Sequence, residues 1–129
     1  MIEKRYLLDS NIIIYHLNNN DIVKEFLFEN IDNSCISVIT YIEVLSFDFP
    51  SIQSKNITKA LLESFEIIDT CRDIAIQSIQ NRKHKKIKLP DNIIVSTAQI
   101  NNLTLVTRNE KDFKSLEINL LNPFTGNER

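Results

Sequence analysis

The chain has 129 residues, 43% of them hydrophobic, with Lys+Arg 15 against Asp+Glu 17 and a formal net charge of −2. That length supports one domain, spanning 1–129, with a core of useful size. Its one glycine, Gly126, lies near the C-terminus, which excludes a Walker A loop, a G-x-G-x-x-G turn and any other nucleotide cradle built on glycine backbones.

Taken in chain order, short apolar runs alternate with helical spacing. Tyr6-Leu7-Leu8 reads as a strand ending at Asp9, with Ser10 as the cap of a helix over 11–17. After the Asn18-Asn19-Asn20 break a second helix is expected over 22–29. Cys35-Ile36-Ser37 is a second strand leading into a helix over 38–47, and helical spacing resumes over 52–62. Phe65 to Ile68 is a third strand, followed by a long helix from Thr70 to about Lys85 with Ile74, Ile76 and Ile79 near its buried stripe. Pro90 suits the first turn of the next helix, which ends near Asn101-Asn102, asparagine tolerating left-handed backbone. Thr104 to Thr107 and Ile118 to Leu121 complete five strands. Strands separated by helices imply right-handed crossovers, hence an α/β/α sandwich with a mostly parallel central sheet.

Cys35 and Cys71 are expected as reduced, core-lining thiols, and His16 and His84 as helix-face residues, because neither histidine has zinc-ligand spacing. The N-terminal Met1-Ile2-Glu3-Lys4-Arg5 is charged, and the apolar run after it stops at Asp9. It resembles neither a signal peptide nor a membrane span, so no membrane partner is expected and the location is read as cytoplasmic.

Functional groups of open α/β sheets gather beyond the carboxyl ends of the strands. Four carboxylates fall in such places. Asp9 ends the first strand and, with Ser10 available as the cap, is free for another role. Glu43 lies four residues from both Ile39 and Phe47, so it rides the apolar side of its helix, where a lone charge is expensive. Asp91 sits in a first helical turn on the face of Ile94, Val95 and Ala98, where an acid also simply suits the helix dipole. Asp112 follows the fourth strand, where it also reads as an ordinary loop acid. Converging at one sheet edge, the four would repel one another without a cation, and an all-oxygen ligand set suits Mg²⁺ or Mn²⁺. The chemistry indicated is metal-assisted hydrolysis of a phosphodiester.

Four segments carry a resemblance: Tyr6-Leu7-Leu8-Asp9-Ser10-Asn11-Ile12-Ile13, Ile36 through Leu45 around Glu43, Leu89-Pro90-Asp91-Asn92-Ile93-Ile94-Val95-Ser96-Thr97-Ala98, and Leu103 through Phe113 around Asp112, closed by Leu121-Asn122-Pro123-Phe124. In that order they resemble PIN-domain nucleases, and among them the VapC-type toxins of bacterial toxin–antitoxin pairs. The resemblance implies a PIN fold and a Mg²⁺- or Mn²⁺-dependent endoribonuclease leaving 5′-phosphate and 3′-hydroxyl ends. It carries the catalytic and metal-binding roles onto Asp9, Glu43, Asp91 and Asp112, with Ser10, Thr107 and Asn109 as supporting polar groups. It also implies an antitoxin partner and a homodimer. Where Asn92, Val95 and Ser96 stand, the family more often has small residues or alanine, which bears on packing beside the site.

Arg82, Lys83, Lys85, Lys86 and Lys88 place five cations within seven residues just before Asp91; without them the net charge of −2 would be −7. The run reads either as a solvated helix end or as a rim that steers RNA toward an acidic site. No aromatic platform for single-stranded bases accompanies it, and Tyr6, Tyr15 and Tyr41 are expected to pack on helices. The competing function is a catalytically inactive binding module of the same fold, whose acidic cleft docks a basic partner. A receiver-like domain fails, because Asp9 is followed by Ser10 and Asn11 rather than an acid, and Leu121 by Asn122 rather than lysine.

Overall fold

Tyr6–Leu8 forms strand β1, and all three residues are buried because helices cover both sides of it. In the computed structural model, which describes residues 3–128 without the side chain of residue 127, β1 sits inside the sheet. Met1 and Ile2 of the charged N-terminal stretch lie outside the described residues. Strands β2 (Ser34–Ser37), β3 (Glu66–Ile68), β4 (Thr104–Val106) and β5 (Leu120–Asn122) complete a parallel sheet. Its order is β3-β2-β1-β4-β5, with the two-residue β6 (Asn127–Glu128) antiparallel at the β5 edge. The chain therefore builds outward from β1 to β3, then returns to lay β4 on the free side of β1. The reversal leaves a crevice between the carboxyl ends of β1 and β4, the usual site position in such sheets.

Helices α1 (Ser10–Leu17), α2 (Asp21–Asn30), α3 (Val38–Leu45) and α4 (Ile52–Glu63) precede β3. Helices α5 (Arg72–His84), α6 (Leu89–Ile100) and α7 (Glu110–Phe113) follow it. Alternate strand residues feed two cores, as the two-residue period requires. Leu8, Ile36 and Val106 pack with Ile12 and Ile13 of α1, Val23 and Leu27 of α2, and Leu62 of α4. Leu7, Cys35 and Leu105 pack with Ile94, Val95 and Ala98 of α6 and Phe113 of α7. The expected three layers and mostly parallel sheet are present. With so little glycine, left-handed turns fall to asparagine, at Asn19 (φ 61°) and at the predicted Asn102 (φ 54°).

Several expectations need correction. Ser10 does not cap α1: Asp9 is the cap, its side chain accepting from the Ser10 N–H, and Ser10 is the first helical residue. Cys35 is buried, its thiol pushed up to about 12 chiefly by burial, but Cys71 is exposed because it occupies the surface cap position of α5. Ile76 and Ile79 are also exposed, and so is Phe47. The short α7 and β6 carry too few residues to show a period. β5 begins at Leu120, two residues later than expected.

Helix α5 hides an unusual stripe. Its buried positions are Ile74, Ser78 and Asn81, spaced by four and three, so two of the three are polar. Asn81 Nδ2 shares its two protons among Asn92 Oδ1 (3.2 Å), Ser96 Oγ (3.0 Å) and Gln99 Oε1 (2.8 Å). Asn92 Nδ2 donates to the Ser78 carbonyl at 2.8 Å, and Ser78 Oγ stands 2.8 Å from Ser96 Oγ. The departures at Asn92 and Ser96 are thus the α6 half of a satisfied, buried network. Replacing Asn81 with leucine would leave Gln99 Oε1 without its donor and strip one donor each from Asn92 Oδ1 and Ser96 Oγ, and should cost about 1–3 kcal/mol. A urea titration tests this; a midpoint unchanged from the parent protein would show that the network contributes nothing net.

Candidate active site

Asp9 enters the crevice because β1 ends there and its extended backbone (φ −69°, ψ 154°) starts α1. Its N–H donates to the Val106 carbonyl at 2.9 Å, tying it to β4. Oδ1 accepts from Ser10 N and Oδ2 from Thr107 Oγ1, each at 2.8 Å. The hydroxyl of Thr107 is saturated, since it also accepts from Asn109 N (3.0 Å) and Asn11 Nδ2 (3.4 Å). Asp9 is only 5% exposed, and burial raises its pKa from 3.8 to about 6. The Thr107 and Ser10 hydrogen bonds oppose that rise, while the charges of Asp91 and Glu43 add to it.

Glu43 projects from α3, half-buried, and its Oε1 accepts from Ser10 Oγ at 2.7 Å. Ser10 Oγ also stands 3.0 Å from the buried Thr40 Oγ1. The cap of α3 is Ser37, whose side chain accepts from Ile39 N, so Glu43 is free of capping. Asp91, in the first turn of α6, has a raised pKa: burial is the largest cause, then the charges of Glu43 and Asp112, with Lys88 opposing. Asp112 is exposed on α7 and reaches the set through Asp91. All four predicted acids therefore feel at least one other across the crevice. Asp9, Asp91 and Glu43 form the inner trio, and Asp112 stands at its outer edge.

The supporting groups differ in role. Thr107 holds Asp9 and Ser10 holds Glu43. Asn109 is exposed, and its contact is through its backbone N–H to Thr107. Of the basic run, Lys88 lies close enough to Asp91 to oppose its pKa rise. Lys85 Nζ donates to the Lys111 carbonyl on α7 at 3.2 Å. Lys86 is exposed, whereas Arg82 and Lys83 line a cavity of about 450 Å³ with Ile79, Leu89 and Ile93. Asn11 and Thr40 were not singled out from sequence. Their signals were local: Asn11 follows Asp9 by two residues, and Thr40 precedes Glu43 by three on the same helix face.

The donor chemistry fits a hard divalent cation. Like-charged carboxyl groups converge, all donors are oxygen, and the buried Asn11 Oδ1 has no hydrogen-bond partner. The Asn11 amide orientation follows from Thr107, whose single proton goes to Asp9, so the nitrogen must face Thr107. A hydrated ion would offer Oδ1 a donor. Among the described residues, however, no three His, Cys, Asp or Glu side chains group closely enough to hold an ion by themselves. An ion held there would therefore keep part of its water shell.

The PIN domain family model matches residues 6–119 of this chain. The chain belongs to the PIN domain family. Its PIN fold is shared by solved structures, among them a toxin–antitoxin complex from Klebsiella pneumoniae, 35% identical with a TM-score of 0.79 over 92% of this chain and 97% of that one. VapBC2 from Rickettsia felis, bound to a DNA fragment from its promoter, is 28% identical with a TM-score of 0.76, over 89% and 96% of the two chains. FitAcB from Neisseria gonorrhoeae is 25% identical with a TM-score of 0.80, over 92% and 98%. These neighbours make the chain similar to VapC-type PIN toxins. No curated protein matches it. Among the described residues no helix is long and apolar enough to cross a membrane.

The raised Asp9 pKa sets a pH dependence for the metal-free protein. The fold favours the protonated acid, so stability is greatest below about pH 4 as far as this group is concerned. It falls as pH rises through about 6, by on the order of 2–3 kcal/mol. Asp91 contributes in the same direction. Asp9→Asn should remove most of the fall between pH 4 and 7, read from urea midpoints in EDTA; equal losses in both proteins would contradict the assignment.

Proposed function

We propose that this PIN domain is a Mg²⁺- or Mn²⁺-dependent endoribonuclease in which Asp9, Glu43, Asp91 and Asp112 are the metal-binding and catalytic acids. One observation carries the reading: a buried carboxyl whose pKa is driven to about 6 stands with two further acids at the reversal of strand order. Bound there, the cation supplies Lewis acidity to a phosphoryl oxygen and acidifies the attacking water. The chain's own residues supply orientation. Thr107 and the Ser10 N–H fix both oxygens of Asp9, Ser10 Oγ fixes Glu43, and the first turn of α6 presents Asp91 with the positive end of its dipole behind it.

Lys86 and Lys88 offset the repulsion that such a cleft presents to a polyanion, with Arg82, Lys83 and Lys85 extending the positive field along α5 and the loop after it. The test compares cleavage of total RNA by the parent protein, Asp9→Asn, and Lys86→Gln/Lys88→Gln, with Mg²⁺ or Mn²⁺ and then with EDTA. Discrete metal-dependent products should vanish in Asp9→Asn, and the lysine variant should cleave more slowly with a flatter salt dependence. The absence of a closed group of three acids favours a second reading, an inactive module whose acidic cleft holds a basic segment of a partner. No metal-dependent product from the parent protein would select it.

The same reading makes the chain the cytoplasmic toxin of a toxin–antitoxin pair, supported by neighbours solved as toxin–antitoxin complexes. It also makes the chain a homodimer. Ile76, Ile79 and Leu89 are exposed aliphatics, two of them lining the cavity between α5 and α6, and a symmetric copy would cover them. Light scattering should report twice the chain mass of 15.0 kDa; a monomer at micromolar concentration would sink this part.

A further inference from the structure

Arg108 follows Thr107 at the carboxyl end of β4, and the two side chains do opposite things. Thr107 turns to Asp9, whereas Arg108 lies on the α1 side of the sheet. Its guanidinium carbon stands 4.1 Å from the ring centre of Phe124 and 5.1 Å from that of Tyr15, and Nη1 donates to Tyr15 Oη at 2.9 Å. The two rings brace each other edge to face, with centroids 4.9 Å apart. Tyr15 comes from α1 and Phe124 from the segment after β5, so three parts of the fold fix one exposed cation. The ion pair found among the described residues is Arg5–Glu128, and Arg108 has no carboxylate partner there.

A cation–π seat immobilises a guanidinium without neutralising it, and a planar fork so held is pre-organised for a phosphate's oxygens. The seat lies at the carboxyl end of β4, one residue beyond the Thr107 that holds Asp9, and across the sheet from the lysines. Ile87, inside the basic run, packs in the core formed with α6, whereas Tyr15 and Phe124 pack against the core formed with α1. Arg108 and the basic run therefore stand on opposite faces of the sheet.

We propose that Arg108, seated on Tyr15 and Phe124, is a phosphate-binding residue for the RNA backbone on the side of the cleft opposite Lys86 and Lys88, so that a single strand crosses the acids between two fixed positive points. This rests on the endoribonuclease reading and deepens it. The bound group is a phosphodiester rather than a protein carboxylate, because the residue one step away organises a site read as acting on phosphodiesters.

The experiment uses Asp9→Asn protein, so that binding is read without cleavage, and a fluorescein-labelled single-stranded oligoribonucleotide followed by anisotropy at increasing KCl. Arg108→Met should weaken binding roughly threefold to tenfold at low salt. It should also make the slope of log affinity against log salt shallower by about 0.7, the value for one lost contact to a single strand. Arg108→Lys, which keeps the charge but not the fork, should retain the slope while losing part of the affinity. A thermal melt of each variant shows that the fold persists, and Arg108→Lys serves if the methionine variant does not fold. An unchanged affinity and slope in Arg108→Met, with binding still lost in Lys86→Gln/Lys88→Gln, would overturn the proposal alone and leave Arg108 to a protein acid. Failure of the Asp9→Asn parent itself to bind RNA would overturn the endoribonuclease reading, and this proposal with it.

Discussion

Burial of the Asp9 carboxyl at the end of an interior strand is the constraint on which the rest of the site depends. An ionised acid with so little exposure is costly unless hydrogen bonds or a cation compensate. Two hydrogen bonds reach it, from the Ser10 N–H and from Thr107, and they do not suffice, since its pKa still stands near 6. The deficit grows because the next nearest charges, on Asp91 and Glu43, have the same sign. A protein could relieve this strain with one lysine pointed into the crevice. This chain instead keeps Lys88 at the margin, beside Asp91, and leaves the Asp9 carboxyl with no cation among the charges that act on it. The arrangement is consistent with a centre organised for a mobile cation rather than for stability.

Around that centre the fold divides its labour by layer. The layer of α1 to α4 is joined to the sheet by an aliphatic core and supplies Ser10, Thr40 and Glu43. The layer of α5 to α7 supplies Asp91 and Asp112, and its internal joint is polar. Buried polar networks are weak sources of net stability but penalise any misregister, because each slipped residue leaves several groups unpaired. The contact between α5 and α6 fixes where the first turn of α6 begins. Asn92, adjacent to Asp91, is held on both sides by Asn81 and the Ser78 carbonyl. Asn92 and Ser96 therefore act together, which neither reveals singly.

Much of the architecture was legible in sequence because it depends on local period and punctuation. The apolar runs before Asp9, Ser37 and Thr107 mark strand ends, Pro90 marks a helix start and Asn102 a helix stop. Errors appeared where a local signal had two meanings. Ser10 and Asp9 are both good caps, and the choice fell to Asp9 because β1 ends at Leu8 and the chain turns into the helix directly after it. In α5 the isoleucines suggested one buried face, but the partner surface on α6 is itself polar, so Ser78 and Asn81 are buried while Ile76 and Ile79 are exposed. The four-residue α7 and the two-residue β6 were not expected, since neither is an apolar run like those of the equally short strands β1, β4 and β5.

The sequence by itself determined which acids exist, that Asp9, Asp91 and Asp112 follow a strand or open a helix while Glu43 rides a helix face, and that no glycine cradle competes with them. These are properties of spacing along one dimension. Only the tertiary structure decided that Asp9, Glu43 and Asp91 form an inner trio with Asp112 at its edge, that Thr107 is spent on Asp9, and that Arg108 is seated on rings from two distant segments. Those facts depend on strand order, β3-β2-β1-β4-β5, which places residue 9 beside residue 107 and residue 15 beside residue 124. Strand order is fixed by how whole layers bury their apolar faces against one another, and no local spacing encodes it.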